Sequence, residues 1–166
     1  MKVVSTKPFQ TFLPAILLLA FTQTKAQYFA PKNCDANNYI KATVAGKPFT
    51  SVKILARNTS NTGKKEFIII AVGDMGRIEF KLDKDLKPGT FALDNSDKKS
   101  TMMYAPKKGL PFVTSKCSDA IGSITISEFS ASGMSGTFNF TGKYMLSKCE
   151  VAETVAVTQG SFKVQF

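Results

Sequence analysis

Carboxylates, cysteines and lysines are the groups whose spacing could carry chemistry here, because the 166-residue chain contains no histidine. That absence removes the Ser-His-Asp and Cys-His nucleophile systems, the histidine general base and nearly all catalytic zinc sites. Two carboxylate pairs remain, Asp83 with Asp85 and Asp94 with Asp97. Paired acids hydrolyse glycosides when they face each other across a cleft. Both pairs sit in charged turns, where solvation explains them without catalysis. Glu128 is the one acid embedded in a strand-like stretch, where it marks a bulge, faces solvent or touches a ligand. Neither GxGxxG nor GxxxxGK[ST] occurs, no two cysteines have ligand spacing, and Asp94-x-Ser96-Asp97 lacks calcium-loop spacing. No catalytic residue, cofactor or metal is expected.

Three cysteines in a chain bound for export call for a disulfide. Cys117 and Cys149 fall close to the register that Phe129 opposite Met134 sets for the Gly122–Tyr144 hairpin, and are the favoured pair. Closing that loop of about thirty residues is worth roughly 3–4 kcal/mol in the chain-entropy picture. Cys34 is then a free or intermolecular thiol.

The lysines cluster. Lys64-Lys65, Lys98-Lys99 and Lys107-Lys108 are pairs, and Lys81, Lys84 and Lys87 recur every third position. Residues 47–116 hold 14 basic and 7 acidic side chains. These nine lysines form a candidate basic face for an anionic glycan, a lipid headgroup or another envelope protein. The plainer explanation is solvated loop charge that keeps edge strands from pairing between molecules. Nucleic acid is disfavoured, since its platforms interleave exposed aromatics with cations and the aromatics here hold core-facing positions.

The elements that must position these groups are short strands. Lys2 and Lys7, the apolar run Phe12–Phe21 and the exit Thr24-Lys25-Ala26 make a secretory signal helix with cleavage after Ala26. The apolar run is too short for the ~20 residues of a membrane-spanning helix. No cysteine stands at the cleavage point to carry a lipid. The expected destination is periplasm, cell surface or medium. The remaining 140 residues carry 19 basic and 12 acidic side chains. They divide into a flexible leader, 27–38, and one antiparallel domain, 39–166.

Within that domain, Tyr39–Val44, Phe49–Arg57, Arg77–Leu82 and Phe162–Phe166 alternate between apolar and polar residues. Glu66–Val72 (EFIIIAV) is a central strand covered on both faces. Gly122–Tyr144 folds as a hairpin with one apolar and one hydroxylated side. A bulge near Glu128 restores the alternation that Phe129 breaks, and Gln159-Gly160 shifts the last strand's register. The expectation is an all-β fold, an antiparallel sandwich or small flattened barrel of about 8–10 short strands.

Gly46-Lys47-Pro48-Phe49, Pro88-Gly89-Thr90-Phe91, Gly122–Glu128 (GSITISE), Ser135–Phe140 (SGTFNF) and Gly160–Val164 (GSFKV) resemble an uncharacterised family. Its members are small secreted or lipid-anchored β-domains from Bacteroidota-type bacteria, and the likeness covers roughly Tyr39 to Phe166. The resemblance implies an envelope or secreted location and assigns no site residue.

The function expected from these features is non-enzymatic: a secreted or periplasmic β-domain that binds or bridges through its basic face. The main alternative is a lipocalin-like barrel holding a small apolar ligand among the fourteen phenylalanines. A histidine-free carboxylate hydrolase and an outer-membrane barrel are more remote.

Overall fold

The computed structural model describes residues 27–28, 32–59, 66–83, 87–93, 100–114, 121–145 and 151–166. The expected signal segment, 1–26, lies outside them. The described residues form an all-β structure with strands β1 (Gln27–Tyr28), β2 (Lys32–Asn33), β3 (Tyr39–Val44), β4 (Lys47–Thr59), β5 (Glu66–Gly73) and β6 (Gly76–Asp83). They continue with β7 (Gly89–Ala92), β8 (Thr101–Pro106), β9 (Phe112–Val113), β10 (Gly122–Ser130), β11 (Gly133–Met145) and β12 (Val151–Gln165).

All pairings are antiparallel, and their path is a ring rather than a sandwich or a regular barrel. It runs β12-β3-β4-β5-β6-β8-β9-β11 and closes because β11 also pairs β12. Two-residue β9 is the bridge, with Val113 opposite both Met103 and Lys143. Strand β10 branches from β11, and β7 pairs with β10 in turn. Local chemistry sets the turns. Ala45 and Gly46 both take positive φ, 48° and 78°, as a two-residue hairpin between Val44 and Lys47 requires.

The leader expected to be flexible contributes two strands. At 13 residues β4 is more than twice the length of β3, which pairs only with its residues 47–50. Strands β2 and β1 cover the exposed edge beyond, at Lys53–Ile54 and Arg57–Asn58. An uncovered edge leaves backbone donors and acceptors open to pairing with another chain, which the leader prevents.

Alternation sends one side chain of every pair inward. Ala56, Ile69, Phe80 and Met102 align across β4, β5, β6 and β8, all buried. Facing them, Gly136-Thr137-Phe138 pairs antiparallel with Gly160-Ser161-Phe162, so each phenylalanine lies opposite a glycine. The Phe80 ring meets Phe138 and Phe162 edge-on, at centroid separations of 4.9 and 5.5 Å. The interior is thus apolar and the exterior polar, the reverse of an outer-membrane barrel. Both expected irregularities occur: the register shifts at Ser127, and again at Thr158–Gly160, where Gln159 has φ 52°.

Candidate binding surface at the cationic end of the sheet

The pleat that aims Ile54, Ala71 and Ile78 inward aims their neighbours outward. Lys53, Val72, Arg77 and Ala105 are consecutive cross-strand partners on the outer face of β4, β5, β6 and β8. Adjacent strands lie about 4.8 Å apart, which places Lys53 and Arg77 roughly 10 Å from each other. The β5–β6 turn brings in the next cations. The Lys107 N–H donates to the Met75 carbonyl at 3.3 Å, and Lys107 and Lys108 are exposed. The Tyr104 hydroxyl donates to the same carbonyl at 2.9 Å. Burial pushes the Tyr104 phenol above its ordinary pKa, so it stays protonated and keeps that bond.

Exposed apolar side chains accompany these cations: Val72 pairs with Lys53 and Arg77, Val52 precedes Lys53, and Leu110 is two residues after Lys108. Val52 is 56% exposed, Val72 43% and Leu110 56%; among the described residues the only other large apolar side chain so exposed is Val151. Val52 is displaced by the register shift between Ser51 and Lys53. A shallow depression of about 300 Å3 is lined by Val72, Arg77, Ala105, Pro106 and Lys107. Four cations face two acids, Asp74 in the turn and half-buried Glu79 one pleat further on. Gly76 permits the close approach. It has φ 140°, and a Cβ there would run into the Ala105 carbonyl and the Pro106 backbone.

The profile of a domain of unknown function, DUF6252, matches residues 36–164. The chain belongs to that family. No curated protein and no solved structure matches it. The DUF6252 span takes in β3 to all but the end of β12 and leaves the leader strands β1 and β2 outside. It contains the five motif stretches whose resemblance pointed to an uncharacterised family.

Of the nine candidate lysines, four lie among the described residues of the DUF6252 domain. Lys107 and Lys108 join the cationic end. Lys81 is ion-paired with Glu66 at 3.2 Å, its side chain 44% exposed. Lys87 is exposed beside β7. Lys64, Lys65, Lys84, Lys98 and Lys99 lie outside the described residues. Lys53 and Arg77 are the site residues that sequence reasoning missed; outward placement was legible for both, but their proximity follows from strand register.

Asp83 lies opposite Glu66 across β5 and β6, and Lys81 pairs with Glu66 there. Asp85, Asp94 and Asp97 lie outside the described residues. Among those described, no three acidic or cysteine side chains are grouped to hold a metal ion. Cys34 is a half-buried free thiol 3.1 Å from the Ser51 hydroxyl. Cys117 and Cys149 lie outside the described residues.

Proposed function

We propose that this domain is an exported, non-catalytic binding module that docks on an anionic lipid surface through its cationic end. The observation that supports it is the mixture there: Lys53, Arg77, Lys107 and Lys108 among exposed Val52, Val72 and Leu110. Basic residues near an anionic leaflet contribute about 1 kcal/mol each, and apolar side chains at the headgroup boundary add burial. A sugar polymer would use the cations but leave three apolar side chains in water. The touching Phe80, Phe138 and Phe162 rings favour this reading over a carrier with its ligand inside.

Co-sedimentation with vesicles tests it. The exported protein is expected to bind phosphatidylglycerol-containing vesicles, with affinity falling as salt rises, and to ignore pure phosphatidylcholine. Arg77→Glu with Lys107→Glu reverses two of the four charges and is expected to weaken binding more than tenfold. Equal binding by this variant and the parent would overturn the proposal.

Export makes a second, covalent prediction. Thr114 and Ile121 are the described residues on either side of Cys117; Thr114 follows the Val113–Lys143 pair, and the Ile121 carbonyl accepts from the Thr141 N–H. Met145 and Val151, the described residues on either side of Cys149, are a cross-strand pair. The described residues that flank both cysteines therefore lie at or beside residues 141–145 of β11. Non-reducing peptide mapping of exported protein is expected to find Gln27 first, a Cys117–Cys149 crosslink, and Cys34 open to alkylation. Three alkylated cysteines would remove the crosslink.

A further inference from the structure

A polar crevice of about 400 Å3 lies where the β10–β11 hairpin meets β2 and β12. Its walls carry Lys32, Glu128, Ser130, Ser132, Ser135 and Lys163, and buried Met134 and Val164 form its floor. The bulge builds it. Ile124 and Ile126 point inward, so unbroken alternation would bury position 128 as well. The extra residue at Ser127 instead turns Glu128 out and lets Phe129 pack edge-on against Phe67, at 5.8 Å. Bulges of this kind recur where a strand side chain is re-aimed at a ligand.

The groups in the crevice suit a polyhydroxylated ligand. The Ser135 hydroxyl donates to Glu128 Oε2 at 3.0 Å, and Oε1 has no protein partner among the described residues. The Ser130 and Ser132 hydroxyls lie 3.0 Å apart. Among the described residues Lys163 Nζ reaches only the amide oxygen of Asn37, at 3.4 Å, and Lys32 Nζ donates to the Phe166 carbonyl at 3.1 Å. Donors and acceptors thus alternate around an open concavity, the arrangement that sugar hydroxyls, each both donor and acceptor, can satisfy.

The same face continues beyond the crevice. Thr90, Thr125, Thr137, Ser161 and Lys41 are successive cross-strand neighbours on β7, β10, β11, β12 and β3. Past that hydroxyl row lies a second shallow depression, about 550 Å3, lined by Ser123, Asn139, Thr141 and Thr158. Ser135 and Asn139, one in each depression, are about 14 Å apart along β11. Two hydroxyl-lined depressions joined by a hydroxyl row fit an extended ligand rather than a single small molecule. Lys32 is taken up by Phe166, and Lys41 and Lys163 stand against Glu128 along this face, so the surplus is positive and the fitting polymer carries negative charge. An exposed aromatic platform for bases is missing from this row, as are the exposed apolar side chains that lipid would meet.

We infer that the outer face of β10, β11 and β12 binds an acidic oligosaccharide, with Glu128 and Ser135 both accepting from sugar hydroxyls and Lys163 pairing with a uronate carboxylate. This site is separate from the cationic end and does not depend on the lipid reading. The test is titration of the 15N-labelled full-length protein with hexameric oligogalacturonate, and with maltohexaose as its uncharged counterpart.

Amide shifts are expected at Ser130–Ser135, Asn139 and Lys163–Gln165 with the uronate. Lys163→Met is expected to lose tenfold or more in affinity, the usual cost of a charge-assisted hydrogen bond, with an unchanged circular dichroism spectrum. Glu128→Gln, a surface change that keeps the side chain's shape, is expected to lose about fivefold. The Arg77→Glu, Lys107→Glu variant should bind the probe as the parent does, which separates this proposal from the lipid one. Three results would overturn it: no shifts at millimolar probe, shifts centred on Val72, Arg77 and Lys107, or equal binding by both crevice variants and the parent.

Discussion

Phe162→Ala is expected to destabilise the fold by about 3–5 kcal/mol, the range for truncating a buried aromatic. Phe162 is 1% exposed, and its ring touches Phe80 and Phe138 near the centre of the interior. Three mutually contacting rings leave no small side chain that could swing into the vacated space, so the cavity term stays nearly whole. The ring also covers Gly136 across β11 and β12, so its removal exposes backbone as well as aromatic surface. For a domain of this size that loss lowers Tm by roughly 10 °C or more. Urea and thermal unfolding of the variant measure it. A loss under about 1.5 kcal/mol would mean that the core relaxes around the missing ring.

Gly136→Ala is expected to cost about 3 kcal/mol, near the top of the overpacking range, although it adds a single methyl group. The φ of Gly136 is not in the left-handed region, so the requirement is one of space. A Cβ there would overlap the Thr125 carbonyl and lie 2.9 Å from the Phe162 ring. Neither obstacle yields easily: the carbonyl belongs to the β10–β11 ladder, and the ring is held by Phe80 and Phe138. Relief comes from the opposite strand. In the double variant with Phe162→Ala the ring contact is gone, so the combined loss should fall short of the sum by 0.5 kcal/mol or more. Additive losses would assign the Gly136 cost to the carbonyl alone. Gly160 mirrors this site, since its Cβ would lie 2.7 Å from the Phe138 ring.

Alternation made much of this fold legible. Tyr39–Val44 is β3 to the residue, and the β4–β5–β6 meander, the hairpin and its bulge follow from period two and from turn residues. EFIIIAV is buried on both faces over Phe67–Ile69, though it opens at Val72. Strand β9 has no signature in the sequence because its two residues are too few for any period. The leader looked loose because its strands form only against an edge that a long β4 supplies. The candidate sites split along the same line. Outward placement of Lys53, Arg77, Glu128 and Ser135 is a local property, whereas their company is not.

What the sequence by itself determined is therefore local: an all-β chain without histidine, which side of each strand is apolar, the interruptions of pairing near Glu128 and at Gln159-Gly160, and the G-x-F pattern on both β11 and β12. Tertiary structure alone decided closure of the ring through β9 and the β11–β12 pair, the seat of β1 and β2 along β4, and the gathering of Lys53, Arg77, Lys107 and Lys108. Side-chain direction depends on a residue and its immediate neighbours. Register and closure depend on which distant strands find each other, and period two is the same for every possible partner.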